Sequence, residues 1–151
     1  MVCLGNICRS PLAEGILRSK LDKTHLNTIV DSAGTANYHV GQSPDPRSTE
    51  SGLKHGVDIR SLRGRQFGVS DFDQFDKIYV MDRSNYGNVL SLARDESDAN
   101  KVDLLLNLSN PGSNDEVPDP YYGGEQGFEN VYQMMNEACD VIIQNLQNDE
   151  G

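Results

Sequence analysis

Hydrophobic residues along this chain alternate between short apolar runs and longer stretches with helical spacing. Helical spacing follows residue 10 and covers about residues 48–54 and 85–93. It is most regular near the end of the chain, at Phe128, Val131, Tyr132, Met135, Ala138, Ile142 and Leu146. Strand-like runs lie at the start of the chain and at residues 28–30, 77–81 and 102–106. The alternation predicts a three-layer αβα fold of the α/β class, an open, twisted, four-stranded parallel sheet with helices on both faces.

Length and composition predict a single domain. The 151 residues are 36% hydrophobic, and we find no internal repeat, low-complexity segment or linker, so one domain over residues 1–151 is expected. No apolar run is long enough to span a bilayer and no signal peptide is evident, which indicates a soluble cytoplasmic protein without a membrane partner. The three cysteines do not form a secreted disulfide framework, so a reducing compartment is expected.

The segment from Cys3 to Pro11, CLGNICRSP, has the properties of a loop that binds a phosphate dianion. Backbone N–H groups of residues 4–9 (Leu4, Gly5, Asn6, Ile7, Cys8 and Arg9) can converge on one anion, while Arg9 supplies a charged fork of donors. Gly5 allows close backbone approach and Asn6 tolerates positive φ. Ser10 is predicted as an N-cap with Pro11 at the first helical position, which places a helix N-terminus below the phosphate. This field favours the thiolate of Cys3, the candidate nucleophile.

A second catalytic group is expected in the segment VPDPYYGG. Asp119 precedes Pro120, which disfavours helical backbone and keeps the carboxyl on a loop, where it can protonate a leaving oxygen and later activate water. Tyr121 and Tyr122 offer flat apolar walls for an aromatic leaving group. The other Asp-Pro pair, Asp45-Pro46, precedes a helical stretch, so Asp45 is predicted to cap that helix.

These motifs resemble the low-molecular-weight protein tyrosine phosphatase family over nearly the whole chain. Besides the Cys3 loop, the similar segments are residues 31–35 (DSAGT), 40–41 (VG), 45–47 (DPR), 65–66 (RQ), 81–85 (MDRSN) and 117–122 (VPDPYY). The resemblance implies hydrolysis of phosphotyrosine monoesters through a phosphocysteine intermediate, with catalytic residues Cys3, Arg9 and Asp119 and no cofactor. It also implies that several further apolar residues precede the loop in family members, so we expect a truncated first strand and a natural start upstream of Met1.

Supporting roles follow from the same resemblance. Hydroxyls that match Ser10 and Ser32 hold the loop asparagine, Asn6, in its bent form. Ile7, Tyr38, Tyr121 and Tyr122 match the walls of a narrow slot for the phosphotyrosine ring. Cys8 matches a redox-protective thiol that pairs with oxidised Cys3.

Related activities with the same kind of loop are alternatives. A thiol-dependent arsenate reductase needs further cysteines to carry oxidation away, and related phosphoarginine phosphatases have threonine where this chain has Ile7. A phosphocarrier has no use for an acid such as Asp119, and a pure binding module gains nothing from an activated thiol. Phosphotyrosine hydrolysis is therefore the favoured function.

Charge is distributed unevenly along the chain. The net charge of −10 arises entirely from residues 102–151, which argues against nucleic acid as a partner. No metal is expected, because the cysteines and the three histidines do not form a ligand set. The expected partner is a phosphotyrosine-containing protein, and resemblance to bacterial members implies a tyrosine kinase; we expect a monomer or a weak dimer.

Overall fold

The computed structural model describes residues 1–150, with the side chains of Tyr122 and Glu150 excepted. The strands are β1 (Val2–Cys3), β2 (Ala33–Gly34), β3 (Ile78–Val80) and β4 (Val102–Leu104). The α-helices are α1 (Arg9–Leu21), α2 (Pro46–Lys54), α3 (Asp71–Gln74), α4 (Arg83–Leu90), α5 (Glu96–Ala99) and α6 (Gly124–Glu150). Short 3₁₀ helices cover Leu105–Asn107 and Pro120–Tyr122.

The four strands form one parallel sheet in the order β2-β1-β3-β4. Val2 of β1 lies beside Ala33 on one side and Val80 on the other, so β1 is a central strand. Ile78 pairs with Val102 at the outer edge. Because parallel strands share one carboxyl edge, the loop after β1 lies where open α/β sheets bind ligands.

Two hydrophobic clusters cover the two faces of the sheet. One joins α1 and α6 to the sheet through buried residues that include Leu12, Ile16, Met81, Val131 and Met135. The other packs the α3 and α4 regions on the opposite face and includes Phe67, Phe72, Val80, Val89 and Leu104. The predicted αβα layering is therefore confirmed. In the part of the chain described, no helix combines the length and apolar character needed to cross a bilayer.

The predicted strand at residues 28–30 is wrong. Strand β2 instead covers Ala33–Gly34, both buried, whereas Ile29 is 83% exposed. Val2 pairs with Ala33 and Cys3 with Gly34, so the pairing with β1 lies later in the chain than predicted. Arg18 Nη2 donates to the Val30 carbonyl at 2.7 Å, so a side chain bonds this segment.

Other boundaries differ by a few residues. Helix α4 begins at Arg83 because Asp82 accepts the Asn85 N–H at 2.8 Å as its N-cap, and it ends at Leu90. Strand β4 ends at Leu104 and continues as a 3₁₀ turn. The predicted cap of α2 is confirmed, since the Asp45 carboxylate accepts the Arg47 N–H at 2.8 Å.

Candidate active site

The loop between β1 and α1 curls around the sulfur of Cys3. Cys3 ends the central strand and is 3% exposed. Asn6 has φ of 59°, the positive value predicted for it, which reverses the chain within the loop. Its backbone N–H points back and donates to Cys3 Sγ at 3.3 Å. The sulfur thus accepts a backbone N–H from within the loop, as an anion-binding loop allows.

The side chain of Asn6 holds this curl in place. Asn6 Nδ2 donates to Ser10 Oγ at 2.8 Å and to Ser32 Oγ at 2.9 Å, and Asn6 Oδ1 accepts the Arg65 N–H at 3.0 Å. Ser32 Oγ donates onward to Glu14 Oε1 at 2.6 Å. The two hydroxyls implied by the resemblance therefore contact Asn6, and the network extends to the buried carboxyl of Glu14.

The interpretation of Ser10 as the N-cap of α1 is wrong. The helix begins at Arg9, and its cap residue Cys8 makes no side-chain capping bond. Ser10 Oγ lies 3.0 Å from Cys3 Sγ, as well as accepting from Asn6. The hydroxyl cannot cap the helix because it is directed into the loop, where it contacts the nucleophile candidate.

Arg9 is held by two partners that sequence reasoning missed. Its side chain is 5% exposed, and Nη1 donates to Asp82 Oδ2 at 2.8 Å and to the Val117 carbonyl at 2.9 Å. Val117 N–H donates to the Met81 carbonyl at 2.8 Å, which ties the acid-bearing segment to the end of β3. Asp82 lies in the similar segment 81–85, but its partner could be found only from the fold.

Asp119 lies on an exposed segment with extended backbone, φ −72° and ψ 117°. Its Oδ1 accepts the Tyr121 N–H at 3.0 Å. Burial raises the pKa of the Cys8 thiol to about 12, and the charges of Asp45, Cys3 and Asp119 add to this rise. The structure therefore brings Cys3 and Asp119 into electrostatic range of one loop residue.

The predicted slot walls are only partly described. Ile7 is half-buried on the loop, Tyr38 is 71% exposed, and the Tyr121 ring lies beneath the Arg47 guanidinium at 4.7 Å. The side chain of Tyr122 lies outside the described residues. A groove of about 480 Å³ adjoins the loop at Leu4. Its lining also includes Tyr38, Thr35, Gln66, Asn88 and Leu92.

Over the described residues, no group of three or more His, Cys, Asp or Glu side chains is arranged to hold a metal ion. Cys139 is fully buried in α6, with its Sγ 3.9 Å from the Ala13 carbonyl on α1.

A parallel sheet whose central strand runs into an anion-binding loop and then a helix defines a phosphate-binding α/β protein. The family model described as low molecular weight phosphotyrosine protein phosphatase matches residues 1–151. A low molecular weight phosphotyrosine protein phosphatase of Schizosaccharomyces pombe is 42% identical over 148 residues, which cover 96% of this chain and 94% of that protein.

Solved structures agree with these sequence matches. A protein tyrosine phosphatase of Entamoeba histolytica, crystallised with Hepes in the active site, has a TM-score of 0.90 and 39% identity, covering 99% of this chain and 96% of that one. A Drosophila arginine phosphatase has a TM-score of 0.84 and 34% identity, covering 95% of this chain and 94% of that one.

The chain belongs to the low molecular weight phosphotyrosine protein phosphatase family. It is a protein-tyrosine phosphatase, a hydrolase of phosphoric monoesters. The resemblance found in its motifs is therefore confirmed.

Proposed function

We propose that Cys3, Arg9 and Asp119 hydrolyse phosphotyrosine in two steps through a phosphocysteine. The observation that most directly supports these roles is the position of Cys3 Sγ, which accepts the Asn6 N–H at 3.3 Å and lies 3.0 Å from Ser10 Oγ. Hydrogen-bond donors around a sulfur favour the thiolate, which is the nucleophilic form.

In the first step, the Cys3 thiolate attacks phosphorus and the bond from phosphorus to the tyrosine oxygen breaks. Asp119, as the acid, gives its proton to that oxygen, so tyrosine leaves neutral. Arg9 and the N–H groups of residues 4–9 stabilise the charge on the three phosphoryl oxygens. The bonds from Arg9 to Asp82 and Val117 fix the guanidinium orientation in advance of binding.

In the second step, water attacks the phosphocysteine. Asp119, now a carboxylate, takes a proton from that water, the bond from sulfur to phosphorus breaks, and inorganic phosphate and the Cys3 thiolate are released. Asp119 suits both steps because it is exposed and lies on a loop between two prolines. The same donors hold the phosphoryl group throughout.

We propose that the aromatic ring of the substrate lies between Ile7 and the tyrosines Tyr38, Tyr121 and Tyr122. The exposure of Tyr38 and Tyr121 supports this assignment, as does the groove that Tyr38 lines together with Leu4 of the loop. Ile7 supplies an apolar contact for a phenyl ring and no hydrogen-bonding group for a guanidinium, which favours phosphotyrosine over phosphoarginine. Arsenate reduction is not favoured because Cys139 is enclosed between α6 and α1.

We further propose that the substrate is a cytoplasmic phosphoprotein, with a phosphorylated tyrosine kinase as the first candidate. The exposed position of Asp119, Tyr38 and Tyr121 supports a protein substrate, since a side chain displayed on another protein can approach them. A pull-down with the Asp119→Ala variant, which retains the phosphate loop, would capture that partner. Release of the partner by vanadate would support binding through the phosphate loop.

The catalytic assignment is tested by kinetics on p-nitrophenyl phosphate with wild type, Cys3→Ser and Asp119→Ala. We expect a burst of p-nitrophenol in wild type whenever hydrolysis of the phosphocysteine is slower than its formation. Cys3→Ser should abolish turnover, and Asp119→Ala should lower it by about 10²-fold or more. Steady turnover by Cys3→Ser would reject the mechanism.

We also propose that Cys8 protects Cys3 from irreversible oxidation. Hydrogen peroxide would convert the Cys3 thiolate to a sulfenic acid, and attack by Cys8 sulfur would form a disulfide with loss of water. All three cysteines are free in the structure, and the pKa of Cys8, about 12, keeps its thiol protonated near neutral pH. Iodoacetamide should therefore modify Cys3 well before Cys8.

Peroxide treatment followed by dithiothreitol tests this protective role. Wild type should recover its activity, whereas Cys8→Ser should lose it permanently. Cys139→Ser is the matched control because Cys139 lies in the core and should not alter recovery. Equal recovery by wild type and Cys8→Ser would contradict the role.

A further inference from the structure

The first turn of helix α2 is fixed to the phosphate loop. Asp45 N–H donates to the Ile7 carbonyl at 2.8 Å, and Ser48 Oγ donates to the Cys8 carbonyl, also at 2.8 Å. Ser48 is fully buried, so its bond is shielded from water. These contacts join α2 to the two loop residues that precede Arg9.

Arg47, in the same turn, contacts the segment that carries the proposed acid. Its Nη1 donates to the Tyr121 carbonyl at 2.9 Å, and its guanidinium carbon lies 4.7 Å from the centre of the Tyr121 ring and 5.3 Å from that of Phe128. Tyr121 N–H in turn donates to Asp119 Oδ1 at 3.0 Å. Arg47 therefore binds the residue whose N–H orients the Asp119 carboxyl.

The orientation of Arg47 is itself fixed by Asp45. Arg47 N and Nε donate to Asp45 Oδ1 at 2.8 and 3.2 Å, and Nη2 donates to Asp45 Oδ2 at 3.2 Å. A planar guanidinium held in a fork loses little further freedom when it makes another bond. Nη1 is thus presented to Tyr121 in a fixed direction.

The far end of α2 contacts the helix that follows the acid segment. Lys54 Nζ lies 2.8 Å from Glu125, and His55 Nε2 lies 2.8 Å from Glu129 while its ring stacks on Tyr132 with centroids 3.9 Å apart. The first turn of α2 therefore contacts the phosphate loop and the Asp119 segment, and its C-terminal end contacts α6.

We propose that Arg47 is a positioning residue that places Asp119 over the leaving oxygen by connecting the phosphate loop to the Asp119 segment. This inference rests on the proposed roles of Cys3 and Asp119. Phosphate binding depends on the Cys3 loop and the groups that hold it, whereas protonation of the leaving group depends on the position of Asp119. Loss of Arg47 should therefore impair reactions in proportion to their need for that proton.

The chain contains a matched control for the local structure of Arg47. Arg60 N and Nε donate to Asp58 Oδ1 at 3.0 and 2.9 Å, and its Nη2 donates to Asp58 Oδ2 at 2.8 Å, which repeats the Asp45–Arg47 fork at the same spacing. Arg60 is 66% exposed. Arg60→Gln therefore removes the same charge and the same kind of fork, but at a position outside the proposed catalytic groups.

The experiment compares kcat/KM for phenyl phosphate, whose leaving group needs a proton, with that for 2,4-dinitrophenyl phosphate, whose leaving group does not. Arg47→Gln should lower kcat/KM about 10-fold or more for phenyl phosphate and much less for the dinitrophenyl ester. Arg47→Lys keeps the charge but loses the fork. It should lower kcat/KM by a smaller factor, again more for phenyl phosphate than for the dinitrophenyl ester. Arg60→Gln should leave both substrates unaffected.

A double mutant completes the test. If Arg47 acts through Asp119, adding Arg47→Gln to Asp119→Ala should cause little further selective loss for phenyl phosphate. Equal losses for both esters, or fully additive losses in the double mutant, would overturn the proposal and leave the roles of Cys3 and Asp119 standing. Turnover by Cys3→Ser as fast as that by Arg60→Gln would instead reject the underlying mechanism.

Discussion

Asp82 forms an ion pair with Arg9, with 2.8 Å between its Oδ2 and Arg9 Nη1, and it also caps helix α4 through Oδ1. One carboxylate therefore fixes both the Arg9 guanidinium of the phosphate loop and the start of helix α4, which packs on the face of the sheet opposite to α1 and α6. Arg9 is only 5% exposed, and this ion pair compensates its buried charge.

Asp82→Ala should lower the free energy of unfolding by roughly 3 kcal/mol, because it leaves a buried cation unpaired and removes a cap. The affinity for vanadate should fall as well, since Arg9 loses its orientation. Asp95→Ala is the control: Asp95 caps α5 by accepting the Asp98 N–H at 2.9 Å, and its loss should cost about 1 kcal/mol. Urea unfolding and vanadate inhibition measure both effects, and equal destabilisation by the two variants would contradict the prediction.

Asn6→Ala should destabilise the protein by roughly 2–4 kcal/mol, since three hydrogen bonds are lost in a buried loop. Asn6→Gly accepts the positive φ but lacks the amide, so it should be nearly as unstable. Asn114→Ala is the control for positive φ, because Asn114 has φ of 57° at an exposed position. It also loses the exposed hydrogen bond that Asn107 Nδ2 donates to Asn114 Oδ1 at 3.1 Å, and it should cost about 1 kcal/mol in all. Wild-type stability of Asn6→Gly would show that the backbone conformation at residue 6, and not the side-chain amide, stabilises the loop.

Glu14 should make stability fall as pH rises. Burial raises the pKa of Glu14 above its ordinary 4.5, although the Ser32 hydrogen bond and the Arg18 charge oppose this rise. The folded protein therefore binds this proton more tightly than the unfolded chain, and the stabilisation is complete below 4.5 and lost as pH rises through the folded value.

Glu14→Gln removes that titration, so its stability relative to wild type should improve as pH rises from 4.5 through the folded pKa of Glu14. Urea unfolding at several pH values measures the difference. Glu50→Gln, which neutralises a carboxyl that is 63% exposed, is the control and should show a much weaker trend. Parallel curves for wild type and Glu14→Gln would refute the prediction.

Gly34→Ala should disturb the phosphate loop from the neighbouring strand. A Cβ at Gly34 would lie 2.8 Å from the Leu4 carbonyl oxygen and 3.2 Å from Asn6 Cβ, so backbone must shift. Both stability and vanadate affinity should fall. Gly87→Ala meets no atom within 4 Å in helix α4 and should gain up to about 1 kcal/mol. Thermal unfolding distinguishes the two, and an unperturbed Gly34→Ala would show that the loop can adapt.

The sequence predicted best those features that local chemistry dictates. The bend at Asn6 and the cap at Asp45 follow from the residues themselves. Ser10 was misassigned because a hydroxyl before proline looks like a cap, whereas in the fold it contacts Cys3 and Asn6.

Long-range partners could not be predicted from local pattern. The bonds from Arg9 to Asp82 and Val117 join residues far apart in the chain, and they exist only because β1 and β3 are adjacent. The strand predicted at residues 28–30 was wrong for a similar reason. Pairing with β1 decides where β2 lies, and β1 pairs with Ala33 and Gly34.

Strand β1 is central in the sheet, but Cys3 leaves the ribosome well before the neighbouring strand residues Ala33 and Val80 have been synthesised. A nascent chain therefore displays this thiol without its surrounding amides until the third strand and the Asp119 segment have been translated. We therefore expect this thiol to gain its surrounding N–H donors, and with them its reactivity, only once the sheet has formed.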